Sequence, residues 1–348
     1  MFDTFDKKYI LIVGGAGFVG SNLTKYLLNE FDPGIIYIVD NLISSEASNI
    51  PQDPRVNFIC GSIADDLILN NLPKNINFVF HLSCYHGNQS SIVNPIADHD
   101  NNTITSLKLF NHLKNYNNLS KVVYAAAGCA VAKKTYDNAE ATQENAPLSL
   151  YHDSPYSISK LVGEMYGNYF YKQNGLPIVK ARFQNIYGPG EILGAGMWRG
   201  TINTIWRNVV PTFIWKALNK ESLPLENGGL NSRDFIFIND ICRGLVSCAL
   251  AGKPGESYNL ASGKETSILD LAKLINKFTN NSTMPEIKPI RDWDTSGKRF
   301  GSTEKSKKEI GFSAITSIKD GLEKTIKWTK NNKELIRGNI NKHMNKLN

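Results

Sequence analysis

The chain has 348 residues, 41% of them hydrophobic and 20% charged, with a formal net charge of +7. This composition excludes a disordered or collagen-like chain and suits one large globular domain or two lobes. No run approaches the ~20 apolar residues of a membrane span, and the opening MFDTFDKKY lacks an apolar signal core, so a cytoplasmic protein is expected. The basic residues are dispersed and thicken toward the C-terminus (Lys324, Lys327, Lys330, Lys333). That pattern reads as a solvated helical face and not as a nucleic-acid site, although a mild positive field helps to gather an anionic substrate. Cys60, Cys84, Cys129, Cys242 and Cys248 are scattered without metal-ligand spacing, so reduced thiols and no metal are expected.

In chain order, Tyr9–Val13 is an apolar, β-branched run that predicts a buried parallel strand. It feeds into Gly14-Gly15-Ala16-Gly17-Phe18-Val19-Gly20, and Ser21–Asn29 then has helical periodicity. In this strand–turn–helix unit Gly14 allows the tight turn, Gly17 the approach of a pyrophosphate, and Gly20 the close packing of helix on strand. The helix N-terminus offers unpaired N–H groups and a positive dipole end to the phosphates. A second strand, Ile35–Val39, ends in Asp40, about 20 residues on, where a carboxylate accepts from ribose hydroxyls and repels a 2′-phosphate. The expected cofactor is therefore NAD and not NADP.

Further strands are expected at Val56–Cys60, followed by the turn Gly61-Ser62-Ile63, at Phe78–Ser83 and at Lys121–Ala127, with a helix over Ile96–Leu113 that contains Asn101 and Asn102. Alternating strands and helices imply a parallel sheet covered on both faces. The loop Cys84–Asn94 follows the C-terminal end of a strand, where ligands bind in such sheets, and carries His86, Asn88, Gln89, Ser90 and Ser91. Beyond residue 180 the alternation loosens into Gly188-Pro189-Gly190, a glycine-rich stretch Gly194–Gly200, and Arg207–Lys220 with Pro211 inside it. A strand at Asp234–Ile238, a helix at Asp240–Leu250 and a short strand near Tyr258–Ala261 follow.

In Ser154-Pro155-Tyr156-Ser157-Ile158-Ser159-Lys160, proline marks a helix start, and Tyr156 and Lys160, four apart, share one helix face. A phenol titrates near ~10 and is a poor base at neutral pH. A neighbouring ammonium and a positively charged nicotinamide are expected to favour the phenolate, so that Tyr156 takes a proton from a sugar hydroxyl while hydride leaves the same carbon.

Together, Gly14-x-x-Gly17-x-x-Gly20, Asp40, His81-Leu82-Ser83, Tyr156-x-x-x-Lys160, Arg182-Phe183-x-Asn185-x-Tyr187-Gly188-Pro189 and Arg233-Asp234-Phe235-Ile236 resemble the extended short-chain dehydrogenase/reductases that act on nucleotide sugars. The segments HGNQSS, AAGC, ARFQNIYGPGEILGAG and LENGG-x-x-SRDFIF are more closely similar to the WbmF-type epimerase/dehydratases of bacterial O-antigen clusters. The resemblance implies a Rossmann-type doubly wound α/β fold with a smaller C-terminal lobe. Residues 1–180, with returns over 181–193 and 230–262, form the NAD domain in this reading, 194–335 the nucleotide-sugar lobe, and 336–348 a basic tail. It further implies a homodimer through a helix bundle that includes the Tyr156 helix.

By the same resemblance, NAD contacts Gly14, Gly17, Phe18, Val19, Gly20, Asp40, Asn41, Ser62, Ile63, Leu82, Ser83, Asn102, Tyr156, Lys160 and Phe183. A nucleotide-diphosphate sugar contacts His86, Asn88, Gln89, Ser90, Asn185, Arg199, Arg233 and Arg291. Arg233 resembles a family arginine that clamps the substrate pyrophosphate, against the reading that it pairs with Asp234 or Asp240; Arg291 and Arg299 are weaker candidates for the same task.

Two departures qualify the chemistry. Where many relatives place a serine or threonine after the fifth strand, this chain has Ala127, and the Thr-Asp-Glu triplet of sugar 4,6-dehydratases is missing. Cys129 aligns with an acid/base cysteine of more distant GDP-sugar epimerases, and Arg199 lies near the place of their second acid/base lysine. Cys129 reads equally as a small residue packed beside the cofactor. The expected function is an NAD-dependent nucleotide-sugar epimerase or dehydratase working through transient C4 oxidation, for O-antigen, lipopolysaccharide or capsule sugars. Its rivals are a dehydrogenase that releases a keto-sugar and a cofactor-sensing module without turnover.

Overall fold

A computed structural model describes residues 4–85, 87–132, 134–294 and 297–347. The chain folds around β1 (Tyr9–Val13), which pairs in parallel with β2 (Ile35–Asp40) on one side and β4 (Phe78–His81) on the other. Outside these lie β3 (Val56–Cys60), β5 (Lys121–Ala127), β6 (Ile178–Phe183) and β9 (Ser257–Leu260), completing seven strands. The order is β9-β6-β5-β4-β1-β2-β3. All these pairings are parallel because each strand returns through a covering segment.

Alternation along each strand feeds two cores. Ile10, Ile12, Ile36, Ile38 and Phe80 point to one face, and Leu11, Val13, Val39, Val79 and Val122 to the other. Each such side chain contributes about 1.5–3 kcal/mol on burial, which is why the strands read as unbroken apolar runs. A smaller sheet, built from β7 (Asn185–Tyr187), β8 (Ser232–Phe237) and Glu265–Ser267, stands beside the main one.

Helix α1 (Phe18–Glu30) starts inside the glycine run. Helix α2 (Pro155–Asn174) is capped by Ser154, whose hydroxyl accepts from Ser157 N at 3.3 Å; proline at the first position needs no donor partner, and Gly175 stops the helix in the left-handed region at φ +68°. The helical run from Pro95 to Leu113 contains a π turn over His99–Ile104, and the expected loop after β4 holds a short helix, Asn88–Val93.

Pro211 does not break helix α3 (Val209–Leu218), because it sits in the first turn, where N–H groups lack intrahelical partners. Helix α4 (Lys333–Met344) buries Ile336 and Ile340 against Leu193, Ile205 and Trp215. His343 Nε2 lies 2.9 Å from Gly194 O, tying that helix to the glycine-rich stretch.

Candidate active site

A cavity of about 600 Å³ opens at the C-terminal ends of the central strands, where a parallel sheet leaves its loops free to bind. At its floor is the glycine turn. Gly14 adopts φ +85°, and a Cβ there would lie 2.5 Å from Ser83 N; a Cβ on Gly20 would lie 2.4 Å from Gly14 O. Side chains are thus excluded both by backbone conformation and by the approach of β4's end and helix α1.

Asp40 is oriented before any ligand arrives. Its carboxylate accepts from Ala16 N (3.0 Å), Leu42 N (2.9 Å) and Ser45 Oγ (2.9 Å). Burial raises its pKa and these donors oppose the rise. Gly14, Gly17, Phe18, Val19, Gly20, Asp40, Asn41, Leu82, Ser83 and Phe183 all line the cavity, while Ser62 and Ile63 line a small adjoining recess that Asn41 also borders. These residues fit a dinucleotide lying from Asp40 across the α1 N-terminus toward Tyr156.

Asn102 differs from expectation. It does not line the cavity: Oδ1 accepts from Tyr85 N (2.7 Å), and Nδ2 donates to Asp98 Oδ1 (2.7 Å) and Ser159 Oγ (3.1 Å). With its amide so engaged, it ties the loop after β4 and the π turn to α2, which makes it a positioning residue. Beneath the site His81 is fully enclosed, with its pKa pushed down to about 3 by burial, and is neutral. Ser106 gives its proton to Asn102 O, so His81 donates through Nε2 to Ser106 Oγ (3.0 Å) and accepts from Ser83 Oγ at Nδ1 (3.3 Å).

At the far end of β4 and β5, Tyr156, Lys160, Cys129 and Ala127 face the cavity together. Cys129 and Tyr156 pack on one apolar cluster with Ala127, Ala130, Val131 and Leu161. The N-terminus of α2 is set by Ser91, whose hydroxyl accepts from Tyr156 N (3.1 Å) and donates to Asn88 O (2.6 Å). Lys160 Nζ donates to Ala125 O (3.1 Å) and lies 5.3 Å and 6.0 Å from the Tyr124 and Tyr156 ring centres.

The expected lowering of the Tyr156 pKa is not what the protein chain alone produces. Enclosure raises it well above the ordinary phenol value, and the nearby Cys84 and Cys129 add to the rise. Lys160 is itself shifted down by burial. In a low-dielectric pocket the desolvation of a phenolate outweighs one ammonium, so activating Tyr156 needs further positive charge beside it.

Arg233, Arg291 and Arg299 also line the cavity, with Trp293, Asp294 and Glu226. Arg233 pairs with neither Asp234 nor Asp240. Asp234 takes Ser262 N (2.9 Å), Ser262 Oγ (2.6 Å) and Gly263 N (3.0 Å), and Asp240 takes Arg243 (2.9 Å) and Thr316 N (2.9 Å). Instead Arg233 donates to Ser232 O (2.7 Å) and Gly297 O (2.6 Å) and lies 3.6 Å from Asp294. Burial, with Arg299 beside it, pushes its pKa down to about 9. Arg299 is buried, and its Nε and Nη1 have no partner among the described residues. Arg291 is held at the rim by Glu226 over the Trp293 ring.

Asn88, Gln89, Ser90 and Asn185 line the cavity, and His86 lies outside the described residues. Arg199 does not line it. The side chain is buried and turned to Ile43 O (3.1 Å), because its own segment is pinned by Arg199 N to Thr204 Oγ1 (3.1 Å) and by Met197 N to Ile43 O (2.8 Å). Sequence reasoning passed over Cys84, Gln184, Glu191, Arg207, Asn208 and Trp293, all of which line the cavity. Cys84 and Gln184 stood in places that could have been read, just after the C-terminal ends of parallel strands.

The glycine turn, the oriented Asp40 carboxylate and an enclosed Tyr–Lys pair in one cavity suit a dinucleotide-dependent enzyme. Residues 10–261 match the NAD dependent epimerase/dehydratase family, and the chain belongs to it. It is similar, at 53% identity, to the Bordetella bronchiseptica enzyme WbmF, whose crystal structure in complex with NAD+ and UDP covers 99% of this chain and 98% of that one with a TM-score of 0.88. A UDP-glucose 4-epimerase from Thermotoga maritima, in a structure with UDP-glucose, is 27% identical, covers 93% of this chain and 99% of its own, and has a TM-score of 0.81. The chain matches 48% of the length of a trifunctional Arabidopsis thaliana UDP-glucose 4,6-dehydratase, 3,5-epimerase and reductase, at 25% identity over 95% of this chain. The protein is thus an NAD-dependent enzyme of the sugar epimerase/dehydratase kind, and no helix among the described residues is long and apolar enough to cross a membrane.

Proposed function

We propose that the enzyme acts on a nucleotide-diphosphate sugar by transient oxidation at C4. The observation that carries this reading is one continuous cavity in which Tyr156, Lys160 and Cys129 are joined by the cations Arg233 and Arg299. Two guanidiniums, one with unpaired donors, suit a pyrophosphate in bidentate geometry, while Asn88, Gln89 and Ser90 offer hydrogen bonds to sugar hydroxyls. Bound NAD supplies a hydride acceptor that is regenerated within each cycle, and its positive nicotinamide adds the charge that Tyr156 needs. Tyr156 removes the proton of the C4 hydroxyl and later returns one. Lys160 stabilises the phenolate, and Ala127 contributes no hydroxyl to that relay.

A C4 ketone acidifies the hydrogens at C3 and C5, and the Cys129 thiol, packed beside Tyr156, is placed to exchange one of them. The reading extends to O-antigen or related surface-sugar synthesis in the cytoplasm, on the resemblance of its sequence motifs to the WbmF-type enzymes of O-antigen clusters. A homodimer through α2 fits the apolar stripe of Ile158, Met165 and Tyr169, which are 49%, 51% and 57% exposed; light scattering that gave a monomer mass would reject it.

The test is incubation in deuterated water with UDP- and dTDP-sugars, followed by mass spectrometry. Unlabelled epimer means hydride return alone and leaves Cys129 as packing. Deuterium at C3 or C5 that disappears in Cys129→Ala assigns the exchange to the thiol. Loss of water marks a dehydratase, and NADH accumulating in solution without epimer would overturn the cycle.

A further inference from the structure

The pyrophosphate of NAD carries two negative charges, yet the glycine turn and the first turn of α1 contain no basic side chain. Backbone N–H groups and a helix dipole supply only part of the compensation. The cations that line the cavity are Lys160, Arg207, Lys216, Arg233, Arg291 and Arg299. Lys160 belongs to Tyr156, Arg233 lies by Asp294 with Arg299 beside it, and Arg291 pairs with Glu226. Lys216 reaches over the Trp206 ring and pairs with Glu221. Arg207 is left without a task.

Its place is defined by two hydrogen bonds and one nearby charge. Nη1 donates to Ser44 O (3.0 Å), in the loop that leaves Asp40 and whose Ser45 bonds the Asp40 carboxylate, while Nη2 donates to Ala195 O. Glu191 is within electrostatic reach of Arg207. Glu191 follows Gly190, where an added Cβ would lie 2.9 Å from Asn22 Nδ2, and Asn22 in turn donates to Pro189 O (3.2 Å). The segment Pro189–Glu191 therefore rests on the first turns of α1, and Arg207 stands between that segment and the Asp40 loop.

The same wall concentrates unsatisfied polar atoms. Four of the nine enclosed side-chain atoms without a partner among the described residues belong to it, Ser44 Oγ, Glu191 Oε2, Arg207 Nε and Thr212 Oγ1, and Arg199 Nε and Nη2 lie buried behind it. Buried polar groups are normally paired, so such a concentration marks a wall shaped for a polar ligand. Arg199 repels Arg207 and Glu46 attracts it, and burial leaves the guanidinium cation poorly solvated.

We propose that Arg207 is the cation that binds the cofactor's pyrophosphate, so that NAD is gripped by the segment after the glycine-rich stretch as well as by the glycine turn. Arg199 adds positive charge from behind, and Glu191, which accepts from Asn208, opposes it. The consequence is retention: a dinucleotide held from both sides leaves only when the Ala195–Arg207 segment moves away. A cycle that regenerates its own cofactor is served by slow release.

The test is Arg207→Gln, which removes the charge but keeps a donor for Ser44 O. After a circular-dichroism check of folding, NAD per chain is measured in the purified protein, and the NAD and UDP dissociation constants are measured on cofactor-stripped protein. Loss of one charge-assisted bond predicts NAD binding weaker by about 10–100-fold, with UDP affinity within about twofold of wild type. NAD affinity unchanged overturns the proposal, and weakened UDP with unchanged NAD reassigns Arg207 to the substrate pyrophosphate. Should that variant fail to fold, Glu191→Gln at pH 8 gives an independent reading. Removing the opposing carboxylate predicts NAD bound at least about threefold more tightly, and equal or weaker binding overturns the assignment.

Discussion

Glu191 is the buried carboxyl whose titration can be read most directly from this site. It is 6% exposed, one oxygen is held by Asn208 and the other has no partner, and burial pushes its pKa from 4.5 up to about 7. A raised pKa means that the folded state binds this proton more tightly than the unfolded chain does. The stability cost is therefore absent below pH 4.5, grows between pH 4.5 and 7, and is complete above 7. From 4.5 to about 7, at about 1.4 kcal/mol for each pH unit, the cost comes to about 3 kcal/mol.

Glu191→Gln keeps the shape and the bond from Asn208 but cannot ionise. In urea unfolding of the cofactor-stripped enzyme, variant and wild type should coincide near pH 4.5, and the variant should be more stable by up to about 3 kcal/mol at pH 8. Other groups titrate in both proteins, so the difference between them carries the result. A constant difference between pH 4.5 and 8 would refute the assignment of a near-neutral pKa to this carboxyl. A variant less stable at pH 8 would mean that ionised Glu191 is a net partner of Arg207.

Tyr156→Phe removes the proton carrier without changing the cavity's shape, so turnover should fall by about a hundredfold or more while the NAD content of the purified protein stays the same; retained activity would refute the mechanism. Arg233→Met should weaken UDP binding by about 10–100-fold in calorimetry and leave NAD retention intact. Gly20→Ala places a methyl group 2.4 Å from Gly14 O and 2.6 Å from Gly15 Cα, so the turn must open; lost NAD and a destabilisation of about 1–3 kcal/mol are expected in thermal melts.

Much of the cofactor end was legible in the chain because its geometry is local. Tyr9–Val13, the glycine run and α1 are contiguous, and Asp40 ends the next strand, so strand pairing alone brings it to the turn. Tyr156 and Lys160 share a helix face by their spacing. Asn102 and Arg199 do not line the cavity, for the converse reason. Residue type and chain position put both near the site, but Asn102 is consumed by Tyr85, Asp98 and Ser159, and Arg199 is turned to Ile43. Which way a side chain faces depends on partners up to 156 residues away in sequence.

From sequence alone came the parallel sheet, the preference for NAD and the Tyr156–Lys160 pair, because apolar runs, glycine spacing and helical periodicity act over a few residues. Tertiary structure alone decided that Gly190 packs on Asn22 of α1 while Arg207 reaches the loop after Asp40, that Cys84 joins Cys129 beside Tyr156, and that burial raises the Tyr156 pKa and lowers that of Lys160. Charge compensation and desolvation depend on which distant segments converge and how much water they exclude, and neither quantity exists until the chain has folded.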